Sequence, residues 1–390
     1  MSRPRIDALI MAQEGMEKLG RPEIEAMQLR RLNALLAREK ARAGFYRDLP
    51  ERLDSLEQLS GLPFTTEEDL AQHAPGLLLC SQSEIRRVLS DATSGTTGAA
   101  KRVFYTEGDC ENTVRLFMAG LGELIFPGSV TMICFPFSGP YGLGELIAEA
   151  VERLGAKPLK VGAGRSYGEL GALLAREKPD TFVGMPVQLL SLLRVCGRGS
   201  LRRALVSGDA CPASVIAGCE KLLGSKLFPH YGSREMALGG AICCPAHRGM
   251  HLRENHVIAE IVDEAGRPLP PGERGELVIT TIGMEAMPLI RYRTGDEARI
   301  LPGPCPCGSS VLRLDEVGRR GGEMAELDET LFRLPFVADF RAERHGGKRK
   351  LLVLSCGEGR LPPLDAEIET RPARPEDGPL YQGKRKVVTT

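Results

Sequence analysis

The chain has 390 residues, 51 of them Lys or Arg and 51 Asp or Glu, so its formal charge is zero and no overall field draws it to nucleic acid or an anionic membrane. No apolar run reaches the roughly eighteen residues of a membrane span, and Met1 to Gly20 carries charges throughout without a signal-peptide core. The length allows a large core and more than one domain, so a cytoplasmic protein acting on a small molecule is expected.

In chain order, Met27, Leu29, Leu32, Leu35 and Leu36 among Arg and Glu predict an amphipathic surface helix. Leu62 to Leu70 starts another, with Thr65 or Thr66 as the cap and Glu67, Glu68 and Asp69 suited to the positive end of the helix dipole. From about Val130 to Leu238, short apolar runs alternate with helical patterns, which predicts parallel strands joined by crossover helices. The candidate strands are Val130 to Phe137, Pro158 to Val161, Thr181 to Gly184, Leu205 to Ser207 and Lys226 to Phe228. After His251 the pattern changes. Val257 to Val262 and Glu276 to Thr281 flank a turn-rich Asp263 to Gly272 and predict an antiparallel β subdomain. A further break falls near Gly318 to Gly322, followed by about seventy mixed, Pro-rich and charged residues.

Thr93-Ser94-Gly95-Thr96-Thr97-Gly98-Ala99-Ala100-Lys101 carries most of the chemical signal. Glycines let backbone N–H groups turn toward an anion, hydroxyls add donors, and the lysine adds a mobile charge. It is not a Walker A loop, since two alanines separate Gly98 from Lys101 and Arg102 follows. On composition alone an ordinary turn has an equal claim.

Further motifs converge with this loop: Tyr141-Gly142-Leu143-Gly144, Tyr231-Gly232-Ser233-Arg234-Glu235, and Glu285 through Arg291-Tyr292-Arg293-Thr294-Gly295-Asp296. Each alone also fits a structural role, as a sheet-end aromatic, a helix-start carboxylate or a turn acid. Together they resemble the adenylate-forming (ANL) superfamily, and more closely its phenylacetate-CoA ligase branch, over roughly residues 25 to 320. The resemblance implies a large multi-subdomain α/β adenylate-forming domain with a β subdomain, residues 1–317, and a small mobile α+β C-terminal lobe, residues 318–390.

It also implies ATP-dependent activation of an organic acid, with aromatic acids the expected class, to an acyl-adenylate with release of pyrophosphate, followed by transfer to coenzyme A. An acceptor other than coenzyme A and a non-catalytic nucleotide-binding relative are the alternatives. By the same resemblance, Thr93, Ser94, Gly95, Thr96, Thr97, Gly98 and Lys101 hold phosphates and Glu235 ligates magnesium. Tyr231 packs against adenine, Gly232 belongs to the nucleotide site, Asp296 accepts from ribose hydroxyls with Arg319 near the hinge, and Ser207, Gly208 and Asp209 lay backbone along the adenine face. Where the family has Ser or Thr before the glutamate, this chain has Arg234, and Ser233 is the substitute. The acid pocket falls around Phe135, Tyr141, Gly184 and Pro186, although the aromatics also suit a core. The partner is a small-molecule carboxylic acid, with no nucleic acid and no membrane, and a homodimer is held open.

Eleven cysteines, an odd number scattered along a long chain, suit reduced thiols or a metal site better than disulfides. Cys305 and Cys307 stand one residue apart, and Cys243, Cys244, His247 and His251 cluster upstream. Paired thiols plus Cys/His fit structural zinc. The resemblance selects Cys244, His251, Cys305 and Cys307, with Cys243 and His247 as alternates. In the lobe, Gly383-Lys384-Arg385-Lys386 resembles the segment bearing the family's catalytic lysine, with Lys384 first and Lys386 second. A terminal basic cluster also reads as solvated tail.

Overall fold

In the computed structural model, which describes residues 5–91, 101–319 and 322–389, the amphipathic stretch around Met27 is the helix Arg21–Arg42. Its buried Ile24, Met27, Leu32, Leu35 and Leu36 repeat at helical spacing and form one face. Thr66, not Thr65, caps the helix Glu67–His73: its hydroxyl accepts from Asp69 N–H at 3.2 Å, and Asp69 returns a bond to Thr66 N–H at 2.8 Å. No helix among the described residues is long and apolar enough to cross a membrane.

The chain divides into two compact units, Met1–Glu123 with His230–Arg320, and Leu124–Pro229 with Gly321–Thr390. In the first, the strands Ile85–Asp91 and Lys101–Thr106 pair antiparallel on either side of residues 92–100. An antiparallel sheet runs in the order Ile258–Val262, Arg274–Thr280, Tyr292–Ile300, Arg313–Arg319, Met250–Leu252 and Ala241–Cys243, and then pairs with His230 and Tyr231. The strand Arg313–Arg319 carries the chain past Gly318, which pairs with Glu297. Arg320 and Gly321 lie outside the described residues.

In the second unit, Val130–Ile133, Lys157–Lys160, Thr181–Gly184, Arg203–Val206 and the start of Phe228–Tyr231 form the parallel sheet expected of crossover helices. The strand that begins at Val130 ends at Ile133, four residues short of the expected Phe137; Cys134 N–H still bonds Val183 O at 2.8 Å, and Pro136, with no N–H, bars the ladder from running on to Phe137. The C-terminal residues add a helix, Glu323–Phe332, and a sheet in which Val337–His345 and Lys348–Ser355 form a hairpin. Leu331, Phe332, Phe340 and Val353 share one apolar core with Leu189, Leu190 and Leu193 of the helix Pro186–Cys196. Ser191 Oγ donates to Ala338 O at 2.8 Å and Arg194 Nη2 to Phe332 O at 2.8 Å, which satisfies carbonyls that burial would otherwise leave unpaired.

Candidate active site

Lys101 begins the strand that leaves residues 92–100, and its ammonium pairs with the Glu235 carboxylate. Both side chains are buried, at 12% and 6% exposure. Burial works against each charge, but the partner outweighs it: the Lys101 pKa is raised and that of Glu235 lowered, so the pair is ionised. Lys101 Nζ also reaches Tyr292 Oη at 3.2 Å and Glu67 Oε1 at 3.5 Å. Tyr105 Oη donates to Arg234 O at 2.7 Å, fixing the short turn Arg234–Met236 that presents Glu235.

Two sequence motifs are welded together to bring Tyr292 here. Thr65 N–H donates to Arg291 O at 3.0 Å, Arg293 N–H to Thr65 O at 2.9 Å, and Thr65 Oγ1 to Ile290 O at 2.6 Å. Arg291 is fully buried at φ 49°, with its guanidinium forked on Glu260 at 3.1 and 3.0 Å. Asp109, the third residue of the helix Glu107–Leu121 that Thr106 caps, accepts from Glu285 N–H and Ala286 N–H at 2.8 and 3.0 Å, so the Glu285–Asp296 motif is also held at its start.

A second group lies in the same unit. Tyr231 Oη donates to Asp296 Oδ2 at 2.9 Å, and Arg319 Nε stands 3.2 Å from Asp296 Oδ1. Burial, then the Asp296 charge, pushes the Tyr231 pKa well up, so the phenol is a neutral donor. Gly232 follows in the turn that Gly240 N–H closes onto Tyr231 O at 3.1 Å. Thr93, Ser94, Gly95, Thr96, Thr97 and Gly98 lie outside the described residues.

The remaining site residues lie in the second unit. Phe135 is buried against Gly208, where an added Cβ would come 3.0 Å from its ring, and Gly208 has φ +87°. Gly184 ends its strand, Pro186 opens the helix Pro186–Cys196, and Tyr141 takes φ 65° in the turn before Leu143–Arg153. Asp209 Oδ1 accepts from Ala210 N–H and Oδ2 from Arg385 N–H, both at 2.9 Å. Burial raises the Asp209 pKa against the bonds from Arg385 N–H and Ala210 N–H, and the Arg385 bond brings the exposed Lys384, its chain neighbour, to the Ser207–Asp209 turn.

Cys244, His251, Cys305 and Cys307 bring one ligand atom each within 4.8 Å of one another. Cys244 Sγ to Cys305 Sγ is 3.8 Å and Cys307 Sγ to His251 Nε2 is 3.4 Å. A tetrahedral zinc with Zn–S of about 2.3 Å and Zn–N of about 2.0 Å has edges of about 3.8 and 3.5 Å, so the donor set fits the ion. Burial and then Arg313 lower the His251 pKa to about 4, leaving the neutral imidazole a metal needs. Gly249, at φ +80°, turns the chain into His251's strand; a Cβ there would meet Leu301 Cδ1 at 2.7 Å and Leu314 O at 2.9 Å. Cys243 and His247 contact each other at 3.7 Å and stand outside this group of four.

The sequence alone carries no signal that Tyr292, Glu67 or Tyr105 serves the site. Tyr292 lies inside a quoted motif, and Glu67 reads as a helix-start acid, so only their approach to Lys101 marks them.

The AMP-binding enzyme family profile matches residues 92–286. The phenylacetate-coenzyme A ligase of Thermus thermophilus is 31% identical over 336 residues, covering 81% of this chain and 74% of that protein. The Escherichia coli enzyme of the same name is 30% identical over 325 residues, covering 77% and 72%. Among solved structures, a 2-hydroxyisobutyryl-CoA ligase in its postadenylation state aligns with TM-score 0.77 at 21% identity, over 95% of this chain and 90% of that one. The same ligase in its thioesterification state gives TM-score 0.69 at 23% identity. At these identities the structures show a shared fold.

Proposed function

The chain belongs to the AMP-binding enzymes, in the branch of the phenylacetate-coenzyme A ligases, and from that membership we propose how its residues carry acid activation and transfer to coenzyme A. One oxygen of the acid's carboxylate attacks the α-phosphorus of ATP, the bond to pyrophosphate breaks, and an acyl-adenylate remains. The sulfur of coenzyme A then attacks the acyl carbon, loses its proton, and AMP departs.

The observation that carries this reading is the convergence, in one unit, of Lys101 with Glu235 and of Tyr231 with Asp296 and Arg319. Negative charge builds on the phosphate oxygens during the attack, so preorganised cations and donors lower the barrier. In this reading Lys101 binds phosphate beside the 92–100 stretch, and Asp296 accepts from the ribose with its orientation fixed by Tyr231 and Arg319. Glu235 is a buried, ionised hard-oxygen donor and fits magnesium, which supplies charge neutralisation at the phosphates when bound. Phe135 beside Gly208 favours an aromatic acid, in keeping with the named substrate of the relatives. Lys384 is the lysine of the adenylation step. Cys244, His251, Cys305 and Cys307 hold a structural zinc that ties the strand Met250–Leu252 to the Cys305–Gly308 turn, a role in folding and not in the reaction.

The test is acid-dependent ATP–pyrophosphate exchange across aryl and aliphatic acids, with thioester measured when coenzyme A is added. Exchange with an aryl acid and thioester formation are expected. Exchange with no thioester for any acid would remove coenzyme A as the acceptor.

A further inference from the structure

Lys384 is exposed on a stretch with little regular structure, yet the residue after it is among the most firmly held in the second unit. The Arg385 side chain is 5% exposed. Its Nε lies 3.1 Å from Asp328 Oδ1, its Nη1 2.9 Å from Asp339 Oδ1, and its Nη2 donates to Phe340 O at 3.1 Å. The guanidinium plane is flanked by the rings of Phe340, Tyr381 and Phe332 at 4.4, 4.8 and 5.1 Å. All three of its nitrogens are therefore spoken for, and the planar fork fixes its orientation as a point charge would not.

The neighbouring backbone is fixed as well. Asp339 Oδ2 accepts from Leu380 N–H at 2.8 Å, and Tyr381 Oη donates to Lys386 O at 2.9 Å. Arg385 itself donates its backbone N–H to Asp209 Oδ2 at 2.9 Å. The side chain thus grips the helix Glu323–Phe332 and the strand Val337–His345, while the main chain grips the Ser207–Asp209 turn. Burying a guanidinium is costly, and a well-packed apolar residue is often as good for stability, so the ionic anchor is better explained by geometry than by folding.

We infer that Arg385 is a positioning residue for adenylation: clamped by Asp328 and Asp339, it docks the tail on Asp209 and so sets Lys384 beside the Ser207–Asp209 turn. This rests on the reading of Lys384 as the adenylation lysine. An error of about 1 Å in placing a reacting group costs on the order of 100-fold in rate, which sets the scale of the expected effect.

The test compares Lys384→Ala, Arg385→Met and Arg385→Lys in the full chain, using the acid that gives the fastest exchange. Exchange is measured for kcat and for KM of ATP and acid, and conversion of separately supplied acyl-adenylate to thioester is measured beside it. Arg385→Met is expected to lower exchange kcat on the order of 100-fold with each KM within about threefold, and to leave the thioester step within about threefold. Arg385→Lys, which keeps a cation for one aspartate, should restore about tenfold of the loss. If Lys384→Ala abolishes exchange while Arg385→Met stays within twofold of the parent, the positioning role is overturned. Equal loss of both half-reactions in Arg385→Met marks a purely structural residue and overturns it too. Full exchange by Lys384→Ala instead removes the underlying reading of the lysine.

Discussion

Replacing Tyr231 with phenylalanine removes one oxygen from the Tyr231–Asp296–Arg319 group proposed to hold the ribose and leaves the ring in place. The lost bond is the 2.9 Å donation to Asp296 Oδ2, made by a phenol that burial keeps neutral. A hydrogen bond to a charged group contributes about 1.5–3 kcal/mol. Arg319 still holds the other carboxylate oxygen at 3.2 Å, so the expected loss lies toward the lower end, about 1–2 kcal/mol. That corresponds to a fall of about 5–30-fold in kcat/KM for ATP. Initial-rate exchange at varied ATP and saturating acid reads this directly, with KM for the acid unchanged as the internal control. A Tyr231→Phe enzyme within twofold of the parent in kcat/KM for ATP would refute the assignment of Asp296 and Tyr231 to the nucleotide.

Glu39 is buried with Oε1 unpartnered among the described residues, and burial raises its pKa from 4.5 to about 7 despite Arg42 and Arg38. Because the folded pKa is the higher one, the stability Glu39 contributes is full below about 4.5 and is lost as pH rises through about 7. Glu39→Gln should therefore gain up to about 3 kcal/mol over the parent at pH 8 and nothing near pH 4, measured by denaturant unfolding. Purified chain should carry about one zinc by metal analysis, and Cys305→Ser with Cys307→Ser should carry none; a metal-free parent grown with zinc would contradict the site. Gly249→Ala forces a left-handed alanine against Leu301 and Leu314, and should cost about 1–3 kcal/mol of stability and weaken zinc retention.

What the sequence shows of the candidate site comes from several short motifs taken together and their resemblance to one family, since each alone also fits a structural role. Thr66 and Asp69 announce a capped helix, and Tyr231, Glu235 and Asp296 sit in runs whose residue types suit one task. What the sequence does not display is which distant group each one meets. Tyr292, between two arginines, looks like any strand aromatic until Thr65 and Arg291 bond across and aim it at Lys101. The three-residue strands Ala241–Cys243 and Met250–Leu252 are too short for periodicity to register, although the second carries His251. Gly346-Gly347 marks the turn of the C-terminal hairpin, but the block Lys348-Arg349-Lys350 followed by Leu351 to Leu354 does not alternate, so the strand period is not displayed. Arg385 reads from sequence as one basic residue of three, and only burial between Asp328 and Asp339 sets it apart.

The central claim is that an oxygen of the acid attacks the α-phosphorus of ATP. Turnover of an acid labelled with oxygen-18 in its carboxylate, in the presence of coenzyme A, tests this most directly. The account requires one labelled oxygen in each AMP released and none in pyrophosphate. Unlabelled AMP, or label appearing in inorganic phosphate, would contradict it.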